Sequence, residues 1–185
     1  MKGLIKMNKD KNIDKKIFSE EKIKSRVEEL AQSISSDYKN KNPVIISILR
    51  GSTYFTADLT RQISIPINLD FLGIGRYPGE KDKSGAVRIT KDLDISIAGR
   101  NVLLVDDIIN TGLTHGYLIR NLKPRKPASL HICTLLDNPA RRLVELPIRY
   151  IGFKTPDTFL VGYGLDYKEN YRHLPYIATL KKHCL

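Results

Sequence analysis

Two adjacent carboxylates, Asp106 and Asp107, follow the apolar run 101–105, and Thr111, Gly112 and Thr114 come shortly after. The stretch VLLVDDIINTGLTHGYLI (102–119) reads as a buried strand, two aspartates, a Thr/Gly turn and a helix. The start of a helix exposes unpaired N–H groups and the positive end of the helix dipole, which together seat a phosphate. Gly112 lets the backbone approach such a group closely, and the two threonines add hydroxyl donors. The carboxylates, on a turn starting after residue 105, are placed to accept hydrogen bonds from sugar hydroxyls or to face a hydrated Mg²⁺. Acidic residues at a strand end also serve as plain helix caps, so the pattern alone leaves both readings open. Asn110, in the same turn, carries no charge.

The elements that would hold this turn can be read along the chain. Ile23, Val27, Leu30 and Ile34 have helical spacing over 20–37, with Ser19 as N-cap and Glu20 and Glu21 in the first turn. PVIISIL (43–49) is short, apolar and β-branched, so a buried strand is expected. RGS then breaks it, and residues 52–62 read as a helix. Strands are expected over 65–75, 87–92 and 128–136, with a helix over 112–123 and short strands near 149–153, 158–162 and 175–180. RYPGEKDKSGA (76–86) is polar and rich in Gly and Pro, hence a loop. Alternating strands and helices imply a parallel sheet of the α/β class. In such sheets ligands bind beyond the carboxyl ends of the strands, where Arg50–Gly51 and Asp106–Asp107 fall.

Composition narrows the class. The 185 residues suffice for one core, and 41% of them are hydrophobic. No run of about 18 apolar residues suggests a membrane span. MKGLIKMNKDKNIDKK lacks the apolar segment of a signal peptide, so residues 1–17 read as a basic tail before a single domain, 18–185. Net charge is +11, yet no aromatic–basic alternation or recognition helix points to nucleic acid, and a small polyanion fits the charge equally well. Cys133 and Cys184 lack metal-ligand spacing and suit a reducing cytoplasm. His115, His131, His173 and His183 form no ligand cluster and read as ordinary polar or packing residues.

The aspartate–threonine–glycine segment resembles the phosphoribosyl-diphosphate motif of type I phosphoribosyltransferases. GFKTPDTFLVGYGLDYKENYRHLPYIATL (152–180) resembles the purine-binding end of the hypoxanthine/guanine members, and ILRG (48–51), VRITKDLD (87–94) and TLLDNPARR (134–142) fall in the matching order. The resemblance covers roughly residues 18–180. It implies a parallel-sheet type I phosphoribosyltransferase fold with a small C-terminal hood. It also implies an Mg²⁺-dependent reaction in which a purine base and phosphoribosyl diphosphate give a purine nucleotide and pyrophosphate, as in purine salvage. Asp106 and Asp107 would hold the ribose hydroxyls near one Mg²⁺, and Asp166 would support a second. The 5′-phosphate would rest on Asn110–Thr114, with Ile108, Thr111, Gly112, Leu113 and Thr114 contacting substrate. Arg50, Gly51 and Arg172 would hold pyrophosphate. Phe159 would stack on the purine and the Leu160 backbone would meet its edge. Tyr77 would lie in a loop that closes over the site. A cytoplasmic homo-oligomer, dimer or tetramer, is the family's usual form.

Three positions depart from the resemblance. Asn110 stands where the family carries an aspartate near the purine N7, Asn138 where it carries a lysine to the 6-oxo group, and Arg50 where it carries a lysine. The last keeps its charge but changes reach. The first removes a carboxylate base, whose loss typically costs roughly 10²- to 10⁴-fold in rate. These departures point to weakened turnover, and the alternative is a nucleotide- or phosphoribosyl-diphosphate-sensing regulator, including one that binds RNA.

Overall fold

A computed structural model describes residues 11–76 and 87–184. Its main sheet has six strands in the order β4-β3-β2-β5-β6-β7. These are β2 (Val44–Leu49), β3 (Asn68–Arg76), β4 (Val87–Lys91), β5 (Asn101–Ile109), β6 (Ser129–Asp137) and β7 (Ile148–Lys154). All adjacent pairs are parallel except β3 with β4, which is antiparallel at the edge. The chain leaves β2 toward β3 on one side and returns to β5 on the other. The strand order therefore reverses between β2 and β5, the crevice where ligands of such sheets bind.

Strand pleating sends alternate side chains to opposite faces, and each face is covered by helix. Ile45, Leu103 and Val105 face α1 (Glu20–Asp37) and α2 (Thr53–Gln62). Val44, Ile46, Ile48, Val102 and Leu104 face α3 (Leu113–Leu122) through Leu118, Ile119 and Leu122. α1 begins where the spacing predicts: Ser19 Oγ accepts from the Lys22 N–H at 3.3 Å, and Ile23, Val27, Leu30, Ala31 and Ile34 are buried.

A second sheet, ordered β1-β9-β8, forms the hood from β8 (Leu160–Val161), β9 (Ile177–Leu180) and β1 (Ile13–Phe18). β1 corrects the expected tail. Ile13–Phe18 pair antiparallel with β9, and Phe18 stacks on Phe153 with centroids 4.3 Å apart. Its lysines face outward, so the sequence looks like solvated tail while the strand is held by backbone pairing. The hood is thus N-terminal as well as C-terminal. Residues 1–10 lie outside the described residues, as do 77–86, where the loop and Tyr77 were expected. No helix is long and apolar enough to cross a membrane among the described residues.

Candidate active site

At the carboxyl ends of β2 and β5 a cavity of about 740 Å³ opens. Its lining brings together Gly51, Asp106, Asp107, Ile108, Asn110 and the run Thr111–Thr114, as the sequence implied. One detail differs. The strand was expected to end at residue 105, but β5 runs on to Ile109, so both aspartates sit inside it. β6 continues alongside and pairs Asp106 with Thr134 and Ile109 with Asp137, which keeps the ladder intact past the carboxylates. Although consecutive strand residues alternate in direction, both carboxylates line the one cavity and interact with each other.

Each aspartate is fixed locally. Asp106 Oδ1 accepts from the Asp107 N–H at 3.0 Å, and Asp107 Oδ1 accepts from the Ile108 N–H at 2.8 Å. Burial, followed by the neighbouring Asp106 charge, pushes the Asp107 carboxyl well above the usual carboxylate range. The Gly51 backbone lies so close to Asp107 that a Cβ at residue 51 would overlap the carboxylate. His115 was expected to be an ordinary packing residue, but its Nε2 stands 2.8 Å from Asp106 Oδ2, both side chains being nearly buried. The ring N–H is not aligned on that oxygen, so the contact is ionic in distance without being a hydrogen bond. Only the turn of α3 onto the sheet creates it.

The turn expected to seat a phosphate owes its shape to backbone geometry. Gly112 caps α3 with φ +80°, a left-handed conformation that side chains rarely adopt. A Cβ there would meet Leu146 Cδ1 at 2.9 Å and Val144 Cγ2 at 3.0 Å. Thr111 Oγ1 accepts from the Leu113 N–H at 3.4 Å. Arg120, one of the residues the sequence reading passed over, also lines the cavity and adds positive charge near that turn.

A second group of predicted residues gathers on the hood side. Arg50 Nη2 donates to Glu169 Oε1 at 2.9 Å. Arg172 Nη2 lies 2.6 Å from Asp166 Oδ1 and 3.5 Å from Glu169 Oε2, while its Nη1 donates to the Gly164 carbonyl at 2.7 Å. Glu169, unremarked in the sequence, thus ties the two arginines together. Lys168, Glu169 and Tyr171 have φ values of +51°, +64° and +75°, a cluster of non-glycine left-handed residues of the kind functional loops hold.

The base-recognition residues divide. Phe159 is 43% exposed, with Tyr167 edge-on at 5.6 Å, so its ring is available rather than sunk in the core. Leu160 is buried in β8. Asn138 is 2% exposed and does not line the large cavity. Its Nδ2 stands 3.4 Å from both Asn110 Oδ1 and Asp157 Oδ1, and its own Oδ1 has no partner.

A mostly parallel open sheet with a glycine-capped helix start and two aspartates at its switch point defines an α/β protein with a candidate ligand site beyond the strand ends. The sequence pattern of the phosphoribosyl transferase domain matches residues 15–168. A hypoxanthine-guanine phosphoribosyltransferase of Dictyostelium discoideum is 46% identical over 91% of this chain and 96% of its own length. Its counterpart in Bacillus subtilis (strain 168) is 44% identical over 92% and 94%. A solved structure of the Trypanosoma cruzi hypoxanthine phosphoribosyltransferase in complex with the product IMP superposes with a TM-score of 0.89 at 37% identity, over 96% of this chain and all of that one. The chain belongs to the hypoxanthine-guanine branch of the phosphoribosyltransferase family.

Proposed function

We propose that this chain transfers the phosphoribosyl group of phosphoribosyl diphosphate to hypoxanthine or guanine, releasing pyrophosphate, in purine salvage. The observation that carries this reading is the joint placement of Asp106, Asp107 and the 110–114 turn around one cavity at the sheet's switch point. The names of the relatives support the same reaction and lend nothing to a regulatory, non-catalytic role.

The residues divide the task. The Thr111–Thr114 turn binds the 5′-phosphate with backbone N–H groups and hydroxyls. Asp106 and Asp107 accept hydrogen bonds from the ribose hydroxyls. Arg50 and Arg172 exchange Glu169 for the diphosphate and stabilise its departing charge. Phe159 offers its face to the purine, and holding both reactants in line lowers the entropic cost of the transfer. Asn110 reaches the imidazole edge of the base but accepts no proton, which slows any step that needs a carboxylate base.

The donor set suits Mg²⁺. Asp107 is a carboxyl whose ionisation is resisted by burial and by Asp106, and a cation relieves both effects. Asp106 and Asp107 would hold one Mg²⁺ and Asp166 would support a second, with waters and substrate oxygens completing each shell. When bound, the ion neutralises diphosphate charge. We further propose that the chain works as a cytoplasmic homo-oligomer.

The test is direct. The full chain is mixed with phosphoribosyl diphosphate, Mg²⁺ and hypoxanthine or guanine, and nucleotide and pyrophosphate are quantified. Equimolar formation of both products, lost with chelator and with Asp107→Asn, is expected. Absence of either product at high protein concentration rejects the reading.

A further inference from the structure

The turn that lines the cavity is held from behind by residues outside the lining itself. Residues 138–146, which connect β6 to β7, run beneath residues 109–112 and anchor two of their carbonyls. The Asn138 N–H donates to the Ile109 carbonyl at 2.9 Å, and the Leu143 N–H donates to the Thr111 carbonyl at 2.9 Å. Arg142 works beside these anchors. Its Nη2 donates to the same Ile109 carbonyl at 3.3 Å and pairs with the Asp137 carboxylate. Its Nη1 is buried, has no partner, and lies 3.1 Å from where a Cβ on Gly112 would be.

The anchors decide which way the turn faces. In a trans peptide the C=O and the following N–H point in opposite directions, and the 109–110 and 111–112 peptides are trans. Drawing the Ile109 and Thr111 carbonyls back onto residues 138–143 therefore turns the Asn110 and Gly112 N–H groups away from that segment. They face the side on which Asn110, Thr111 and Gly112 line the cavity. Backbone N–H groups gathered by a turn make an anion-binding concavity, and the left-handed Gly112 is backbone of that kind.

Arg142 adds a second donor on the Ile109 carbonyl and a permanent charge behind Gly112, which has no side chain to stand between them. Its side chain is 18% exposed and that of Asp137 8%, so water screens the charge little. Asp137 engages Nη2 and leaves Nη1 without an acceptor. A buried donor left unpaired is costly and calls for an explanation. An anion seated across Gly112 supplies the missing negative charge. We propose that Arg142 is a positioning residue of the phosphate seat, holding the 109–112 turn in its anion-binding shape and favouring the anion from behind without touching it. This rests on the phosphoribosyl-transfer reading above, which puts a 5′-phosphate on residues 110–114. Every contact it uses stands in the structure as it is.

The test separates the phosphate from the rest of the ligand. Calorimetry with Mg²⁺ compares the full chain with Arg142→Lys and Arg142→Gln, using the hypoxanthine nucleotide and its nucleoside, which lacks the phosphate. Arg142→Gln should raise the nucleotide Kd by about tenfold, the scale of one hydrogen bond from a charged group, and the nucleoside Kd by less than about twofold. Arg142→Lys keeps the charge but not the planar fork, so its loss should be smaller. Asp137→Asn combined with Arg142→Gln removes both charges, so that no lone carboxylate stays buried, and should show the same selective loss. In steady state, KM for phosphoribosyl diphosphate should rise while kcat and KM for hypoxanthine move little. A residue that only braces the fold would lower Tm and leave the nucleotide Kd of the folded protein alone. An unchanged nucleotide Kd, equal weakening of nucleotide and nucleoside, a fall in kcat without a rise in that KM, or failure of all three variants to fold overturns the role of Arg142. The transferase reading survives any of these if the unaltered chain forms nucleotide. Selective loss of nucleotide binding in a chain that transfers nothing upholds the role of Arg142 and sinks the transferase reading.

Discussion

Replacing Asn110 by Asp restores a proton acceptor at the cavity wall with almost no change in shape. The substitution swaps an amide nitrogen for an oxygen, and the existing contact survives, since Asn138 Nδ2 now donates to a carboxylate rather than to an amide oxygen. The backbone is equally indifferent: residue 110 directly follows β5, outside the ladder. Any effect should therefore appear in chemistry rather than in folding. A positioned general base contributes about 10²- to 10⁴-fold, or about 2.7 to 5.4 kcal/mol at 1.36 kcal/mol per decade. The lysine expected beside the 6-oxo group is still absent, so the gain should fall short of that full range, and we expect kcat with hypoxanthine to rise by roughly tenfold or more. Steady-state nucleotide formation, followed by absorbance across pH 5–9, measures it, with phosphoribosyl diphosphate affinity as the control that should move much less. Adding Asn138→Lys should raise the rate further and non-additively, because the two residues share one ligand and one hydrogen bond. The reasoning is refuted if the unaltered protein already turns over hypoxanthine at about 1–10³ per second and Asn110→Asp brings no acceleration.

Phe159→Ala should weaken nucleotide binding by about one to two decades, the scale of a base stacked on an aromatic ring, with little loss of stability because the ring is exposed. An unchanged Kd would remove Phe159 from the base site. Gly112→Val forces a β-branched residue to φ +80° against Leu146 and Val144, so nucleotide binding should be abolished and urea stability should fall by roughly 2–5 kcal/mol. A variant that binds nucleotide normally would show that the turn is not the phosphate seat. Asp70 gives an acid limb to stability. Burial works to raise its pKa, but N–H donors of Phe71, Ile95 and Asp94 and the nearby Lys91 outweigh it and hold the carboxyl below its ordinary value. A depressed folded-state pKa stabilises above the unfolded value of about 3.9, and that contribution is lost as pH falls through the folded one. Asp70→Asn should therefore lower the urea midpoint at pH 7 and narrow the gap between pH 7 and pH 3; an unaltered gap contradicts this.

Local chemistry was enough to read much of this protein from its sequence. The α1 cap and stripe, the apolar strands and the glycine at the helix start are each set by neighbours a few residues away, and each stands close to where the pattern put it. The family likeness pointed to Arg50, Phe159, Asp166 and Arg172, because those motifs lie in contiguous segments. Where the reading failed, the deciding partner was distant in sequence. Lys15 and Lys16 make the stretch up to residue 17 look like tail, and only pairing with β9, some hundred and sixty residues on, turns Ile13–Phe18 into a strand. The extension of β5 through both aspartates depends on β6 running beside it. His115 becomes a neighbour of Asp106, and Glu169 a clasp for Arg50 and Arg172, only when helix and hood fold back onto the strand ends. Asn138 is the sharpest case: its contacts with Asn110 and Asp157 join three segments that spacing along the chain does not connect. Sequence periodicity records which face of an element is apolar, but which polar group meets which is settled by packing at long range, where spacing along the chain carries no signal.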